Sequence, residues 1–347
     1  MIFSTRRSRS LHITRRLLPR ESSREDLVSL DEHQPANGSS TVRILVVGRT
    51  GLENQLASMR ARALELGRTD MIMESHTDVP RGGAVDALVA LPRVTVGASE
   101  MDALRGLRII CTPSVGTDHI DLEAAAQRGI RVANAPGFNT AEVAEHTITL
   151  AAMMLRDVWA SAQSVGEGRW SSDMPRPKRL SGSRIGLVGY GAIARKTARI
   201  ARDLGMQVSV WSRSTPAGDL GDGIRSVATL EELLADQDVI SLHLPLTEQT
   251  HHLLNDNAFA MMRPDTIIVN TSRGGLVDSQ ALVRALDDGR ISGAALDVLE
   301  REPPIPNDPL LTDRRVLITP HIAWLSPASA VLAYQKAIDS IHTALPR

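Results

Sequence analysis

From Val42 onward, short apolar runs rich in β-branched residues alternate with longer stretches of helical periodicity. Arg43-Ile-Leu-Val-Val-Gly48 is a run of the first kind, ended by glycine as a buried parallel strand would be. Similar runs follow at Met71–Glu74, Val85–Ala90, Leu107–Thr112 and Ile130–Ala133, with helical stretches at Leu52–Leu66 and Asp121–Arg128 between them. A helical pattern over Thr140–Leu155 then leads into a Pro- and Gly-spotted stretch from Gly166 to Gly182. A second series begins there, with strands predicted at Arg184–Val188, Gln207–Trp211, Asp238–Leu244, Thr266–Asn270, Gly293–Val298 and Val316–Thr319. Strands alternating with helices predict α/β architecture, here two doubly wound parallel sheets with helices on both faces. The six strands of the second series would complete a nucleotide-binding domain.

Residues 1–41 depart from this pattern. The first twenty contain Arg6, Arg7, Arg9, Arg15, Arg16 and Arg20 and no acid. That composition suits an extension outside the fold, with organellar import as the minority reading. No apolar stretch of ~7–15 residues follows the arginines, so a secretory signal is not expected. Asn37-Gly-Ser39 spells a glycosylation sequon, which carries no meaning without secretion.

Composition narrows the classes. With 347 residues, 42% of them hydrophobic, the chain can bury two cores. Its 39 basic and 40 acidic residues nearly cancel, whereas nucleic-acid and membrane-surface binders need a positive excess. No run approaches the roughly 20 apolar residues of a membrane span. The single cysteine, Cys111, rules out an internal disulfide and a Cys-based zinc site, and reads as a buried small hydrophobe. A cytoplasmic protein acting on small molecules is the expectation.

Gly189-Tyr-Gly191-Ala192-Ile193-Ala194 follows the strand Ile185–Gly189 and opens a helix. Gly189 permits the turn, Gly191 lets backbone approach a pyrophosphate, and Ala194 is small enough for helix–strand packing. The helix N-terminus would offer free N–H groups to phosphates. About 20 residues on, where an NAD site places an acid for the ribose 2′-hydroxyl, the strand ends in Ser212-Arg213-Ser214. A guanidinium with two hydroxyls suits a 2′-phosphate, so NADP is predicted over NAD, with NAD possible.

Three further segments follow strand ends: Asn270-Thr-Ser-Arg273-Gly-Gly-Leu-Val-Asp278, Leu296-Asp297-Val-Leu-Glu-Arg-Glu302-Pro-Pro304 and Thr319-Pro-His321-Ile-Ala-Trp324. Together with Ser114-Val-Gly-Thr-Asp118, Asp121-Leu-Glu-Ala-Ala125, Arg128-Gly-Ile, Asn134-Ala-Pro-Gly137, Ala144-Glu-His146 and His243-Leu-Pro-Leu-Thr247, they make the chain resemble the D-isomer-specific 2-hydroxyacid dehydrogenases. The resemblance runs from about Val42 to the last helix. It implies a Rossmann dinucleotide-binding domain, 140–324, inserted in a flavodoxin-like substrate domain, 42–139 and 325–347.

It also implies a triad of Arg273, Glu302 and His321. An arginine fork can hold a 2-oxo acid's carboxylate and polarise its carbonyl. A histidinium can protonate the oxygen once hydride arrives, and a neighbouring carboxylate favours that charged form. The resemblance further assigns His243, Pro245, Thr271 and Asp297 to the cofactor side, Asp297 near the nicotinamide carboxamide. Val115 and Gly116 would face the substrate carboxylate with backbone amides, and Trp324 could wall a small pocket. His146 reads as packing or hinge. His251 and His252 are adjacent, so they cannot share a face as a helical i, i+4 metal pair would; they read as turn residues, and no metal is expected.

The motifs look most like glycerate dehydrogenases and glyoxylate/hydroxypyruvate reductases. The expected reaction is NADPH-dependent reduction of hydroxypyruvate or glyoxylate to the D-2-hydroxy acid. The alternatives are an NAD-dependent enzyme similar to phosphoglycerate dehydrogenase, and a non-enzymatic NAD(P) sensor like the corepressors built on this fold. A homodimer with contacts over Thr140–Trp170 follows from the resemblance alone. One departure from the family is expected to matter: the chain stops at Arg347, shortly after the helix from about Ser329, whereas members commonly run further and return a final segment to the first domain, and a shortened end would weaken closure.

Overall fold

In the computed structural model residues 41–171 and 177–346 are described, so the expectations for the arginine-rich extension lie almost wholly outside the described residues. Five parallel strands, β1 (Val42–Val47), β2 (Met71–His76), β3 (Ala87–Ala90), β4 (Ile109–Cys111) and β5 (Arg131–Ala133), form the first sheet in the order β2-β1-β3-β4-β5. This is the flavodoxin-like doubly wound order. The inner strands β1, β3 and β4 are apolar on both faces because helices cover both. Ile44, Val46, Ile109 and Cys111 pack into one core, while Leu45, Val47, Leu88 and Ile110 pack into the other.

Helices α1 (Glu53–Glu65), α2 (Ala98–Ala103) and α3 (Leu122–Gln127) connect these strands, and α4 (Thr140–Leu155) leaves the sheet along the predicted residues. Next come α5 (Val158–Gly166), β6 (Arg184–Val188), α6 (Ala192–Asp203), β7 (Gln207–Trp211), β8 (Gly218–Asp219) and β9 (Ile224–Ser226). The chain continues through α7 (Leu230–Leu234), β10 (Val239–Leu242), α8 (Asp256–Ala260), β11 (Ile267–Asn270), α9 (Ser279–Asp287), β12 (Gly293–Leu296), α10 (Pro309–Thr312) and β13 (Val316–Ile318).

The second sheet is ordered β13-β12-β11-β10-β6-β7-β9-β8 and is parallel except for β8. It therefore has eight strands among the described residues rather than the six expected. The two additions, β8 and β9, are short edge pieces. Gly218 and Asp219 are exposed and polar, so no hydrophobic run marks them. Several strands also end earlier than predicted, β10 at Leu242 and β12 at Leu296, which assigns His243, Leu244 and Asp297 to loops.

The last helix, α11 (Pro327–Ala344), returns to the first sheet. Ala333, Tyr334, Ala337, Ile338 and Ile341 repeat at helical spacing and join Ile44, Val46 and Met59 in one core. Full burial of residues such as Ile338 and Ile341 favours folding by about 1.5–3 kcal/mol each. Among the described residues no helix is long and apolar enough to cross a membrane.

Candidate functional site

Parallel strands bring their C-terminal ends to one edge. In the second sheet, β6, β10, β11, β12 and β13 hand over there to Gly189, His243, Thr271, Asp297 and Thr319.

At the end of β6, Gly189 has φ +105°, and a Cβ would lie 2.4 Å from the His243 carbonyl oxygen. Only glycine suits that backbone and that approach. Gly191 begins α6 with no side-chain cap, unlike α9, where the Asp278 carboxylate accepts from Gln280 and Ala281 N–H. A Cβ on Gly191 would meet nothing within 4 Å. Open space thus lies over uncapped N–H groups, flanked by exposed Ala192 and half-buried Ile193, and α6 has no acid in its first turn. These features fit a pyrophosphate.

Where β7 ends, Ser212 and Ser214 hydroxyls lie 3.3 Å apart and Arg213 is exposed, with no hydrogen bond or ion pair among the described residues. Among the described residues no carboxylate engages this loop. His243 packs beside the phosphate turn, its N–H on the Val188 carbonyl and Nε2 3.0 Å from Ser241 Oγ. Burial pushes its pKa down to about 4, leaving a neutral ring. Pro245 is exposed, its carbonyl accepting from Thr250. Thr271 is buried and bonded to Thr147 on α4 at 2.8 Å, which locks the start of the Arg273 loop to that helix.

The structure brings the three predicted catalytic side chains to neighbouring loops. His321 Nδ1 lies 2.7 Å from Glu302 Oε2, with the His321 and Glu302 side chains 45% and 36% exposed. The hydrogen bond to Glu302 raises the His321 pKa above its ordinary value, against burial and the Arg273 charge. At Glu302 burial pushes upward, but the His321 hydrogen bond and charge, the Leu299 N–H and Arg273 together hold the carboxyl below its usual range. His321 has φ +55°, uncommon for a non-glycine residue, and its N–H is held by the Asp297 carbonyl at 2.8 Å.

Asp297 itself is 1% exposed and accepts from Thr319 Oγ1, Ile322 N–H and Ala323 N–H. A buried carboxylate needs such donors. Both of its oxygens are engaged with the His321 loop, a role sequence reasoning did not assign. Helix α4 grips the same loop twice: His146 Nε2 lies 3.1 Å from Thr319 Oγ1, and Glu142 accepts from Ser326 at 2.7 Å. Trp324 donates its indole N–H to the His321 carbonyl and meets Phe138 at a tilt, with ring centroids 6.1 Å apart.

From the first sheet, the loop after β4 reaches Arg273. Val115 and Gly116 carbonyls accept from Asn134 and Ser114, each at 2.6 Å, while their N–H groups make no bond among the described residues. Those free amides lie beside the guanidinium, since a Cβ on Gly116 would stand 1.9 Å from Arg273 Nη2. Asp118, quoted above only as part of a motif, binds Arg273 Nε at 3.2 Å. Its partner is 155 residues away in sequence, so no local signal could reveal it.

His251 and His252 lie in a turn, as expected. A left-handed φ of +51° at His252 folds the pair back so that the rings stack with centroids 3.8 Å apart. Glu300 joins them through His252 Nε2 at 2.8 Å, placing three ligand-type atoms within 4.8 Å of one another.

Comparison with known proteins shows which family the chain resembles. Residues 148–323 match the model of the D-isomer specific 2-hydroxyacid dehydrogenase NAD binding domain. A hydroxypyruvate reductase of Thermotoga maritima is 37% identical over 69% of this chain and 78% of its own length. A D-3-phosphoglycerate dehydrogenase of Archaeoglobus fulgidus is also 37% identical, over 78% of this chain, but the match spans only 51% of that longer protein. The crystal structure of a Thermus thermophilus protein superposes with a TM-score of 0.76 at 35% identity, covering 88% of this chain and 97% of that one. With a glycine turn, a paired His–Glu and a strand-end arginine on one sheet edge, and with these relatives, the chain belongs to the D-isomer specific 2-hydroxyacid dehydrogenase family.

Proposed function

We propose that this chain reduces a small 2-oxo acid, hydroxypyruvate or glyoxylate, to the D-2-hydroxy acid with NADPH. The observation that carries the proposal is the His321–Glu302 hydrogen bond, which leaves Nε2 of a readily protonated imidazole free near Arg273. In this reading Arg273 and the Val115 and Gly116 N–H groups hold the substrate carboxylate, and Arg273 polarises the carbonyl. A bound nicotinamide supplies the hydride to C2. His321 Nε2–H gives its proton to the carbonyl oxygen, and Glu302 stabilises the imidazolium until that transfer. In the reverse direction neutral His321 is the base. Trp324 would wall a small pocket.

The nucleotide would lie with its pyrophosphate on Gly189, Gly191, Ala192 and Ile193 and its 2′-phosphate on Ser212, Arg213 and Ser214. His243, Pro245, Thr271 and Asp297 would border the nicotinamide half. Residues 140–324 would form the nucleotide domain, inserted in a substrate domain of 42–139 and 325–347. Two chains would pair over Thr140–Trp170, where Trp170 is 91% exposed and Val158 and Val165 are about half exposed.

The test follows absorbance at 340 nm with NADPH or NADH and each oxo acid. Oxidation favouring NADPH, abolished by His321→Ala, is the expected result. Preference for NADH would retain the enzyme and sink the 2′-phosphate assignment. Turnover of phosphohydroxypyruvate alone would point to the activity named for the Archaeoglobus relative. Nucleotide binding without any oxo acid turnover would leave a sensor.

A further inference from the structure

Arginine carries its donors on a rigid planar fork, and what holds some of them decides where the others point. In this chain Arg273 Nε donates to Asp118 Oδ2 at 3.2 Å and Nη1 to the Ser272 carbonyl at 2.8 Å. The two residues belong to different sheets, Asp118 to the loop after β4 and Arg273 to the loop after β11. A Cβ on Gly116 would stand 1.9 Å from Nη2 and 2.7 Å from Asp118 Oδ2, so the guanidinium occupies the space a side chain at 116 would need.

We propose that Asp118 is a positioning residue: by taking Nε–H it turns the Nη edge of Arg273 toward the oxo acid lying against the Val115–Gly116 amides. The inference rests on the dehydrogenase reading above. The Asp118 side chain is 67% exposed, and an exposed ion pair adds little to stability. The value of this contact lies instead in orientation, where a displacement of about 1 Å can cost 10²-fold in rate. Asparagine at 118 would keep an oxygen acceptor for Nε–H and lose only the charge, which separates orientation from electrostatics.

The experiment is steady-state kinetics of the full chain with hydroxypyruvate or glyoxylate and its preferred nucleotide, comparing Asp118→Ala and Asp118→Asn with the unaltered chain. Asp118→Ala is expected to raise KM for the oxo acid about tenfold or more. The nucleotide KM and the pH limb governed by His321 should stay where they were. Asp118→Asn should recover most of the loss. Oxo acid KM unchanged in Asp118→Ala would overturn the proposal, and so would Asp118→Asn as impaired as the alanine variant. Nucleotide KM moving in parallel would make Asp118 merely structural. If the alanine variant does not fold, Asp118→Ser, too short to reach Nε, takes its place. An unaltered chain that reduces no 2-oxo acid sinks the dehydrogenase reading and this inference with it. An active chain indifferent to Asp118→Ala sinks the inference alone.

Discussion

Glu302 Oε2 sits 2.7 Å from Nδ1 of His321, although the two residues lie on separate loops after β12 and β13. The contact fixes the ring with Nε2 outward and favours its charged form.

That pairing sets the pH dependence. His321 is raised above 6.5 and Glu302 lowered below 4.5. Reduction requires the imidazolium, so kcat/KM for the oxo acid should fall as pH rises through the raised His321 pKa. Glu302→Gln removes the charge and should shift that limb toward acid. Stability follows the same signs: the His321 contribution is full below 6.5 and lost as pH rises through its folded value, while that of Glu302 is full above 4.5 and lost as pH falls through its own. A pH–rate profile unchanged in Glu302→Gln would remove Glu302 from this role.

Gly274 sets the distance between the Arg273 loop and the Glu302 loop. A Cβ there would fall 1.9 Å from the Leu299 carbonyl carbon and 2.0 Å from its oxygen, a collision with backbone that no rotamer relieves. Gly274→Ala should separate the Arg273 loop from the Glu302 loop. Stability should fall by about 1–3 kcal/mol, and kcat/KM by about 10²-fold. Thermal unfolding and kinetics on one preparation check both; a variant with normal kcat/KM would show that the loops tolerate separation.

Asp297→Asn places an amide against the Thr319 hydroxyl and the Ile322 and Ala323 N–H groups, so one of these buried donors loses its acceptor. A cost of about 1–3 kcal/mol is expected. The left-handed backbone at His321 is held from this same residue and should relax, lowering kcat. Calorimetry measures the first effect and single-turnover kinetics the second.

Arg213→Ala should raise KM for NADPH and leave NADH little changed. A hydrogen bond to a charged group contributes about 1.5–3 kcal/mol, which corresponds to roughly 10- to 150-fold in affinity. Titration of each nucleotide by protein fluorescence reads this directly. Equal losses for both nucleotides would place Arg213 away from the 2′ position.

Some elements were readable because their causes are local. The helix Thr140–Leu155 and the strands Arg184–Val188 and Gln207–Trp211 occur as predicted, each marked by its own apolar periodicity. The short edge strands Gly218–Asp219, which is exposed, and Ile224–Ser226 had no such mark, and helix α5 (Val158–Gly166) lay in a stretch read only as a lead-in to Gly-rich chain. Asp118 was visible as part of a motif, yet nothing near it in sequence announced Arg273 as its partner.

The sequence by itself determined the alternating architecture, the glycine turn at Gly189–Gly191 and the residue types available for an acid, a base and a cation. Those follow from short-range sterics, periodic burial and the chemistry of single side chains. Tertiary structure alone decided which groups meet. Hydrogen bonds such as Asp297 to the 319–323 loop, Glu142 to Ser326 and Asp118 to Arg273 join residues 22 to 184 positions apart. Bonds of that kind form only where tertiary packing brings donor and acceptor within about 3 Å.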